Sequence, residues 1–319
     1  MTKDLPTPDA PLKIGTRGSP LALAQAHETR ARLGATFGLP EAAFEIVVIK
    51  TSGDDAALIA RDKPLKELGG KGLFTKEIEE QLLAGGIDIA VHSMKDMPVD
   101  QPGGLLLDCY LPREDVRDAF VSPGFARLDA LPRGAVVGTS SLRRRAQLKA
   151  VRPDLKVVEF RGNVQTRLKK LGDGVASCTF LAMAGLNRLG RDDVPAVPIA
   201  PEDMLPAVAQ GAIAIERRQD DARVAALLEA VHHGPTGQRL AAERAFLAAL
   251  DGSCETPIAG LAELDGATLR LRGEILRPDG SERLSDDVTG AVEDGAEIGR
   301  AMAAGLLKRA GPGFFDWRG

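Results

Sequence analysis

At 319 residues the chain is long enough for two or three domains around sizeable cores, and its 44% hydrophobic and 27% charged content is that of an ordinary soluble protein. A net charge of −4 and only 4% aromatics argue against a broad nucleic-acid footprint or a base-stacking platform. No apolar run approaches a membrane span and the N-terminus has no apolar signal core. Cys109, Cys178 and Cys254 are widely separated, and His27, His92, His232 and His233 follow no metal spacing, so a cytoplasmic chain without disulfides or a metal is expected.

In chain order, Lys13 to Gly15 predicts a short strand that ends in Thr16-Arg17-Gly18-Ser19-Pro20 and opens a helix from Leu21 to Leu33. Ser19 suits the N-cap and Pro20 the first helical position. Phe44 to Ile49 is the next strand. Residues 51 to 72 form a long polar connection holding Lys63, Lys66 and Lys71, the last set among Gly69, Gly70 and Gly72, which reads as a lid or as a plain surface loop. An amphipathic helix follows from Leu73 to Leu83. The wholly apolar strand Ile87 to Val91 then stops at His92-Ser93-Met94-Lys95-Asp96. In open α/β sheets ligands sit at the carboxyl ends of strands, which gives the Lys95–Asp96 pair interest beyond a local ion pair.

Leu105 to Leu111 and Ala119 to Val121 read as strands crossing into a second unit. There Val136-Val137-Gly138 ends at Thr139, Ser140 and Ser141 and feeds a helix. Val157 to Phe160 ends at Arg161-Gly162-Asn163 and feeds another. Arg143, Arg144, Arg145, Arg161 and Arg167 crowd this stretch. Helix N-termini offer N–H groups to an anion and arginine adds a planar fork, so the pattern reads as a receptacle for a polyanion, against the alternative of a solvated basic face. Pro195, Pro198, Pro201 and Pro206 imply extended connections before a last apolar strand, Ala212 to Ile215. Strands and helices alternate throughout, so the class is α/β, with two lobes facing each other across a cleft.

From about Gly234 the texture changes. A helix over Gln238 to Leu250, alternating segments over Ile258 to Leu264, Ala267 to Leu276 and Glu282 to Val288, and a helix over Ala291 to Leu307 read as a small α+β domain. Cys254 stands in a polar Gly-Ser-Cys-Glu-Thr-Pro loop, a setting open to a nucleophile or to an inert thiol.

These pieces together resemble the hydroxymethylbilane synthase (porphobilinogen deaminase) family. The resemblance rests on Thr-Arg-Gly-Ser-Pro-Leu-Ala at Thr16, Gly-Gly-Lys-Gly-Leu-Phe at Gly69, Val-His-Ser-Met-Lys-Asp at Val91 and Arg-Glu-Asp at Arg113. It continues with Gly-Thr-Ser-Ser-Leu-Arg-Arg at Gly138, Arg-Gly-Asn-Val at Arg161, Ala-Gly-Leu-Asn-Arg-Leu at Ala184 and Gly-Ser-Cys at Gly252, in family order. It implies two lobes like those of type II periplasmic binding proteins plus the small C-terminal domain. The boundaries expected are 11–111 with 212–232 for domain 1, 112–211 for domain 2 and 233–319 for domain 3.

The resemblance also implies a transferase that joins four porphobilinogens head to tail with loss of ammonia and releases hydroxymethylbilane by hydrolysis. Its dipyrromethane cofactor is held by a thioether, and the attachment position falls on Cys254. Arg17, Arg143, Arg144, Arg161, Arg167 and Arg188 match positions that bind substrate or cofactor carboxylates, with Gly162 and Asn163 beside Arg161, and Ser19, Thr139 and Ser141 match neutral donors. Asp96 matches the catalytic aspartate that faces the pyrrole nitrogen. Lys95 matches its substrate-binding neighbour, Lys71 the lid lysine, and Gln210 a residue near the hinge. The family suggests a monomer without nucleic-acid or membrane partners. Two departures stand out: Ser177-Cys178 where an Asp-Ala pair is common, with Cys178 read as a core thiol, and Ala209 where glycine is frequent before Gln210.

Two other classes compete with an enzyme. A two-lobed receptor for a polycarboxylate needs neither Asp96 nor Cys254, and a nucleic-acid binder is disfavoured by net acidity.

Overall fold

The computed structural model describes residues 5–54, 75–250 and 256–318. The chain runs β1 (Leu12–Thr16), α1 (Pro20–Phe37), β2 (Phe44–Val48), α2 (Lys76–Leu83), β3 (Ile89–Ser93) and β4 (Leu105–Tyr110). It continues through β5 (Asp118–Val121), β6 (Val136–Gly138), α3 (Leu142–Val151), β7 (Lys156–Val158), α4 (Val164–Gly172), β8 (Cys178–Ala182), α5 (Met183–Arg188) and β9 (Ala196–Pro198). After β10 (Ile213–Arg218), α6 (Ala222–Glu229) and α7 (Gly234–Ala249) come β11 (Ile258–Asp265), β12 (Thr268–Leu276), β13 (Arg283–Ala291) and α8 (Gly295–Ala310).

The chain divides into two compact units. The described part of unit 1 is 5–54, 75–114 and 212–237. Its five-stranded sheet has the order β2-β1-β3-β10-β4, with β2, β1 and β3 parallel and β10 antiparallel to both neighbours. Leu12, Ile14, Ile89, Val91, Ile213 and Ile215 point into one core with Ala26 and Leu33 of α1 and Val224 and Leu228 of α6. This is the period-two burial of strands covered by helices. Gly15 in β1 has no side chain because a Cβ would stand 2.2 Å from Ile87. Helix α1 extends four residues past the predicted Leu33 and stops at Gly38, whose φ of +66° supplies the left-handed cap.

Unit 2 holds two sheets. The first has the order β7-β6-β8-β5-β9, again with three parallel strands, an antiparallel fourth and an outer fifth. It repeats the order of the unit 1 sheet. The antiparallel strand of each sheet is the one nearest a crossing between units: β5 follows the outward crossing and β10 the return. Strand β9 is a finding the prolines concealed. Pro198 closes an edge strand, where a missing N–H costs no ladder bond. Phe120, Val137, Leu148, Cys178 and Phe180 fill one face of this sheet, and Ala119, Val121, Phe160 and Leu181 the other.

The second sheet, β11-β12-β13, is an antiparallel meander. Its β12–β13 turn lies against α3: a Cβ on Gly280, where φ is +74°, would stand 2.4 Å from the Ala150 nitrogen. Buried Glu243 of α7 accepts from Ala209 N at 2.7 Å and from Ala262 N of β11 at 2.8 Å, tying the segment before β10 to this sheet. No helix among the described residues is long and apolar enough to cross a membrane.

Candidate active site

In unit 1 two parallel strands end in the polar turns that the sequence marked. After β1, Ser19 caps α1 by accepting from Ala22 N at 3.3 Å, and Thr16 Oγ1 donates to Ala22 O at 3.2 Å. Arg17 is half-buried between them. After β3 the chain makes one 3₁₀ turn, Met94–Asp96, with Met94 N donating to Ala212 O at 3.0 Å and Met97 N to Met94 O at 3.1 Å. Met94 and Met97 are buried and act as pegs on either side of a half-buried Lys95 and an exposed Asp96. A single carboxylate therefore stands at the carboxyl end of a buried strand.

The strand behind it is pinned by polar contacts. His92 Nε2 lies 3.2 Å from Glu216 Oε2 of β10, both groups buried, and Ser93 and Gln25 of α1 exchange hydrogen bonds at 2.9 and 3.1 Å. Glu79 of α2 is buried as well. That burial, with Glu216 adding repulsion, raises its carboxyl above the usual range despite the opposing pull of His92.

In unit 2 the strand-end pattern recurs. Ser141 caps α3 by accepting from Arg144 N at 3.4 Å, Ser141 N donates to Thr139 Oγ1 at 3.2 Å, and Thr139 N to Val158 O at 3.0 Å. Asn163 caps α4 through Thr166 N at 2.9 Å. Gly162 turns the chain at φ +115°, and its carbonyl accepts from Arg167 Nε at 2.9 Å. Any side chain at Gly162 would be strained and would press on Thr166. Arg161 is half-buried at the same strand end, and Arg145 faces solvent. Arg188 Nη2 donates to Gly211 O at 3.0 Å, and Gln210 Nε2 donates to Val116 O at 2.8 Å and Asp118 Oδ1 at 2.9 Å.

Arg143 and Arg144, which the resemblance assigns to carboxylate binding, do not lie on a solvated face. Both are buried. Arg144 donates to Asp118 Oδ1 through Nη2 at 2.7 Å and to Phe180 O through Nη1 at 2.7 Å. Arg143 Nη2 lies 2.7 Å from Asp118 Oδ2 as an ion pair, and Nη1 donates to Leu205 O at 2.8 Å. Gln147, one turn on, exchanges bonds with Leu205 O and Leu205 N at 2.9 and 2.8 Å. A helix that starts at a strand end turns positions 143, 144 and 147 toward the protein, so this helix has a polar buried face. Arg143 Nε has no hydrogen-bond partner among the described residues.

Burial alone would raise the Asp118 carboxyl. Arg143 and Arg144, with hydrogen bonds from Arg144 and Gln210, instead hold it well below the usual carboxylate range. Burial pulls Arg143 down against the attraction of Asp118, yet a guanidinium keeps its proton.

Asp118 is the residue that sequence reasoning missed. It sits at the head of a short apolar strand behind Arg113-Glu114-Asp115-Val116-Arg117, where nothing separates it from neighbouring charges. Lys71 and Cys254 lie outside the described residues. The donor chemistry of the rest, guanidiniums, hydroxyls and capped helix N-termini at strand ends, suits a ligand rich in carboxylates.

Two family models match the chain. "Porphobilinogen deaminase, dipyromethane cofactor binding domain" covers residues 12–226, and "Porphobilinogen deaminase, C-terminal domain" covers 238–308. A curated relative named porphobilinogen deaminase from Paracoccus denitrificans is 66% identical over 98% of this chain and 99% of its own. One of the same name from Nitrobacter winogradskyi is 53% identical over 95% of this chain and 94% of its own. Among solved structures, a periplasmic substrate-binding protein of an ABC transporter from Coxiella burnetii aligns at a TM-score of 0.42 and 14% identity, over 71% of this chain and 93% of that one.

Proposed function

The chain belongs to the porphobilinogen deaminase family, and from that premise we propose how its own residues divide the work. The reaction joins four porphobilinogens head to tail, loses ammonia at each joining and ends in hydrolytic release of hydroxymethylbilane. By chemistry the enzyme is a transferase.

The observation that carries the assignment of roles is the Met94–Asp96 turn, which places one exposed carboxylate at the end of a buried strand. Ammonia leaves as positive charge develops on the substrate pyrrole nitrogen. The Asp96 carboxylate, aimed at that nitrogen, stabilises the charge as it forms, and removing such a group costs about 100- to 1000-fold in rate. Lys95 beside it binds substrate. Arg17, Arg161, Arg167 and Arg188 hold acetate and propionate groups, since a buried carboxylate without a partner is costly. Ser19, Thr139, Ser141, Gly162 and Asn163 add neutral donors or shape the turns that carry them. Arg143 and Arg144 act from the buried side of α3, Gln210 from the Asp118 cluster, and Lys71 from the connection before α2.

The residues present fit the dipyrromethane: guanidiniums stand at successive strand ends, and Arg143 Nε is buried without a partner among the described residues. When bound it supplies the pyrrole carbon to which the first substrate is joined. Cys254 is the proposed attachment point. The three-domain division given above, a single-chain enzyme and a cytoplasmic setting complete the reading. Cys109 and Cys178, both free and buried, support that setting.

The test is intact mass with kinetics. The wild-type chain is expected to carry an adduct of two pyrrole units that is absent from Cys254→Ser. Asp96→Ala is expected to keep the adduct and bind substrate while turnover falls at least about 100-fold. A folded wild-type chain without the adduct, or near-normal turnover in Asp96→Ala, would remove the corresponding assignment.

A further inference from the structure

Three of the arginine and glutamine side chains assigned to the ligand converge on a residue that is not. Asp118 opens β5 with a relative exposure of 0%. Its Oδ1 accepts from Arg144 Nε at 3.2 Å, Arg144 Nη2 at 2.7 Å and Gln210 Nε2 at 2.9 Å, and its Oδ2 pairs with Arg143 Nη2 at 2.7 Å. Gln210 leads into Gly211, whose carbonyl accepts from Arg188 Nη2 at 3.0 Å. One carboxylate thus orients Arg143, Arg144 and Gln210 directly, and Arg188 through one peptide unit.

The charges in this cluster do not cancel. Two guanidiniums, each with 5% side-chain exposure, face a single carboxylate. Glu274 of β12 also attracts Arg143, but its ion pair is with Arg283 of the neighbouring strand β13. Among the described residues, one positive charge of the Arg143–Arg144–Asp118 group is left without an ion-pair partner in a buried place, and Arg143 Nε has no hydrogen-bond partner. A buried charge without a counter-ion is costly, and a single further carboxylate would balance the group.

We propose that Asp118 is a positioning residue for carboxylate recognition, holding Arg143 and Arg144 as one rigid cluster with a single surplus positive charge, so that the pair receives one carboxylate and not two. This rests on the reading that the cluster serves the porphobilinogen-derived ligand. Asp118 cancels one charge, fixes both guanidinium planes and ties them to the segment that carries Gln210.

Three full-length variants test it: Asp118→Glu, which keeps the charge and moves it; Asp118→Asn, which leaves two surplus charges; and Asp118→Asn with Arg143→Gln, which restores one. Circular dichroism gives folding, intact mass gives the fraction carrying the adduct, and kinetics on porphobilinogen give KM and kcat per loaded chain. In Asp118→Glu and Asp118→Asn, where they fold, a lower loaded fraction and a KM raised about tenfold or more are expected, with kcat per loaded chain within about threefold of wild type, because Asp96 is untouched; the double variant is read for folding and KM only. A merely structural Asp118 would reduce the folded and loaded fractions and leave KM unmoved in the chains that remain. An unchanged KM in any folded variant overturns the proposal. If Asp118→Asn alone fails to fold, the double variant is expected to fold with a raised KM; failure of all three to fold makes Asp118 a scaffold residue and also overturns it. A wild-type chain with no adduct and no consumption of porphobilinogen would sink the functional reading instead, a result visible without any substitution.

Discussion

Cys109 and Cys178 show how burial decides the chemistry of a side chain that sequence alone leaves open. Burial pushes both thiols up to about 12, so neither supplies thiolate near neutral pH. On the attachment at Cys254 proposed above, the native loaded chain is expected to show no fast-reacting thiol with a disulfide reagent, and two of its three cysteines after denaturation. Three thiols in the denatured, loaded protein would contradict attachment at Cys254. Ala209 is a second case. It is the only non-glycine residue with positive φ among the described residues, at +63°. The strain is held by Glu243, which grips the Ala209 N–H in a buried site. Ala209→Gly removes the clash of the Cβ in the left-handed region and is expected to raise stability by about 1 kcal/mol, read as a higher melting temperature. A lower one would show that the entropy glycine adds to the unfolded chain outweighs the strain.

Caps and glycines fix where the site residues stand at the level of elements. Ser19, Ser141 and Asn163 each close the first turn of a helix that starts at a strand end, so the same side chains that read as ligand donors already have a backbone N–H to satisfy. Ser141→Ala is expected to cost about 1 kcal/mol of stability. It should also loosen the first turn of α3, which carries Arg143 and Arg144, so KM is expected to rise together with the loss of melting temperature. A stability change with unmoved KM would confine Ser141 to capping. Gly138 belongs to the same logic: a Cβ there would stand 2.4 Å from the Phe160 ring, so only glycine lets the two strand ends lie side by side. The position of α3 also depends on the β12–β13 turn, since Gly280 brings the C-terminal meander onto the helix backbone.

At the scale of the whole molecule, buried charges of opposite tendency shape the response to pH. The Asp118 carboxyl is held low by Arg143 and Arg144, so its contribution is present above its unfolded value of about 4 and is lost as pH falls through the folded value. Glu79 is raised by burial, so its effect has the opposite sign: stability is full below its unfolded value and declines as pH rises through the folded one. Glu79→Gln is therefore expected to raise the melting temperature at neutral pH and to leave it little changed in acid. A fall at neutral pH would mean that ionised Glu79 is stabilised by His92 more than burial penalises it.

Much of this was legible along the chain. The α/β class, the polar turns after β1, β3, β6 and β7, the cap at Ser19, the core placement of Cys178 and the family itself follow from local patterns: alternating apolar runs, a capping residue and short ordered motifs. Such signals act within a few residues and need no knowledge of what lies across the sheet. Elements defined by their neighbours were harder to see. The edge strand β9 hid behind its prolines, and β3 begins two residues later than its apolar run and ends later too, because pairing with β10 sets its limits. Tertiary structure alone decided that Arg143 and Arg144 turn inward, that Asp118 holds them, and that His92 meets Glu216 across 124 residues of chain. The reason is physical. A buried charge takes its partner from whatever the fold brings within about 3 Å, and that partner can stand anywhere in the sequence.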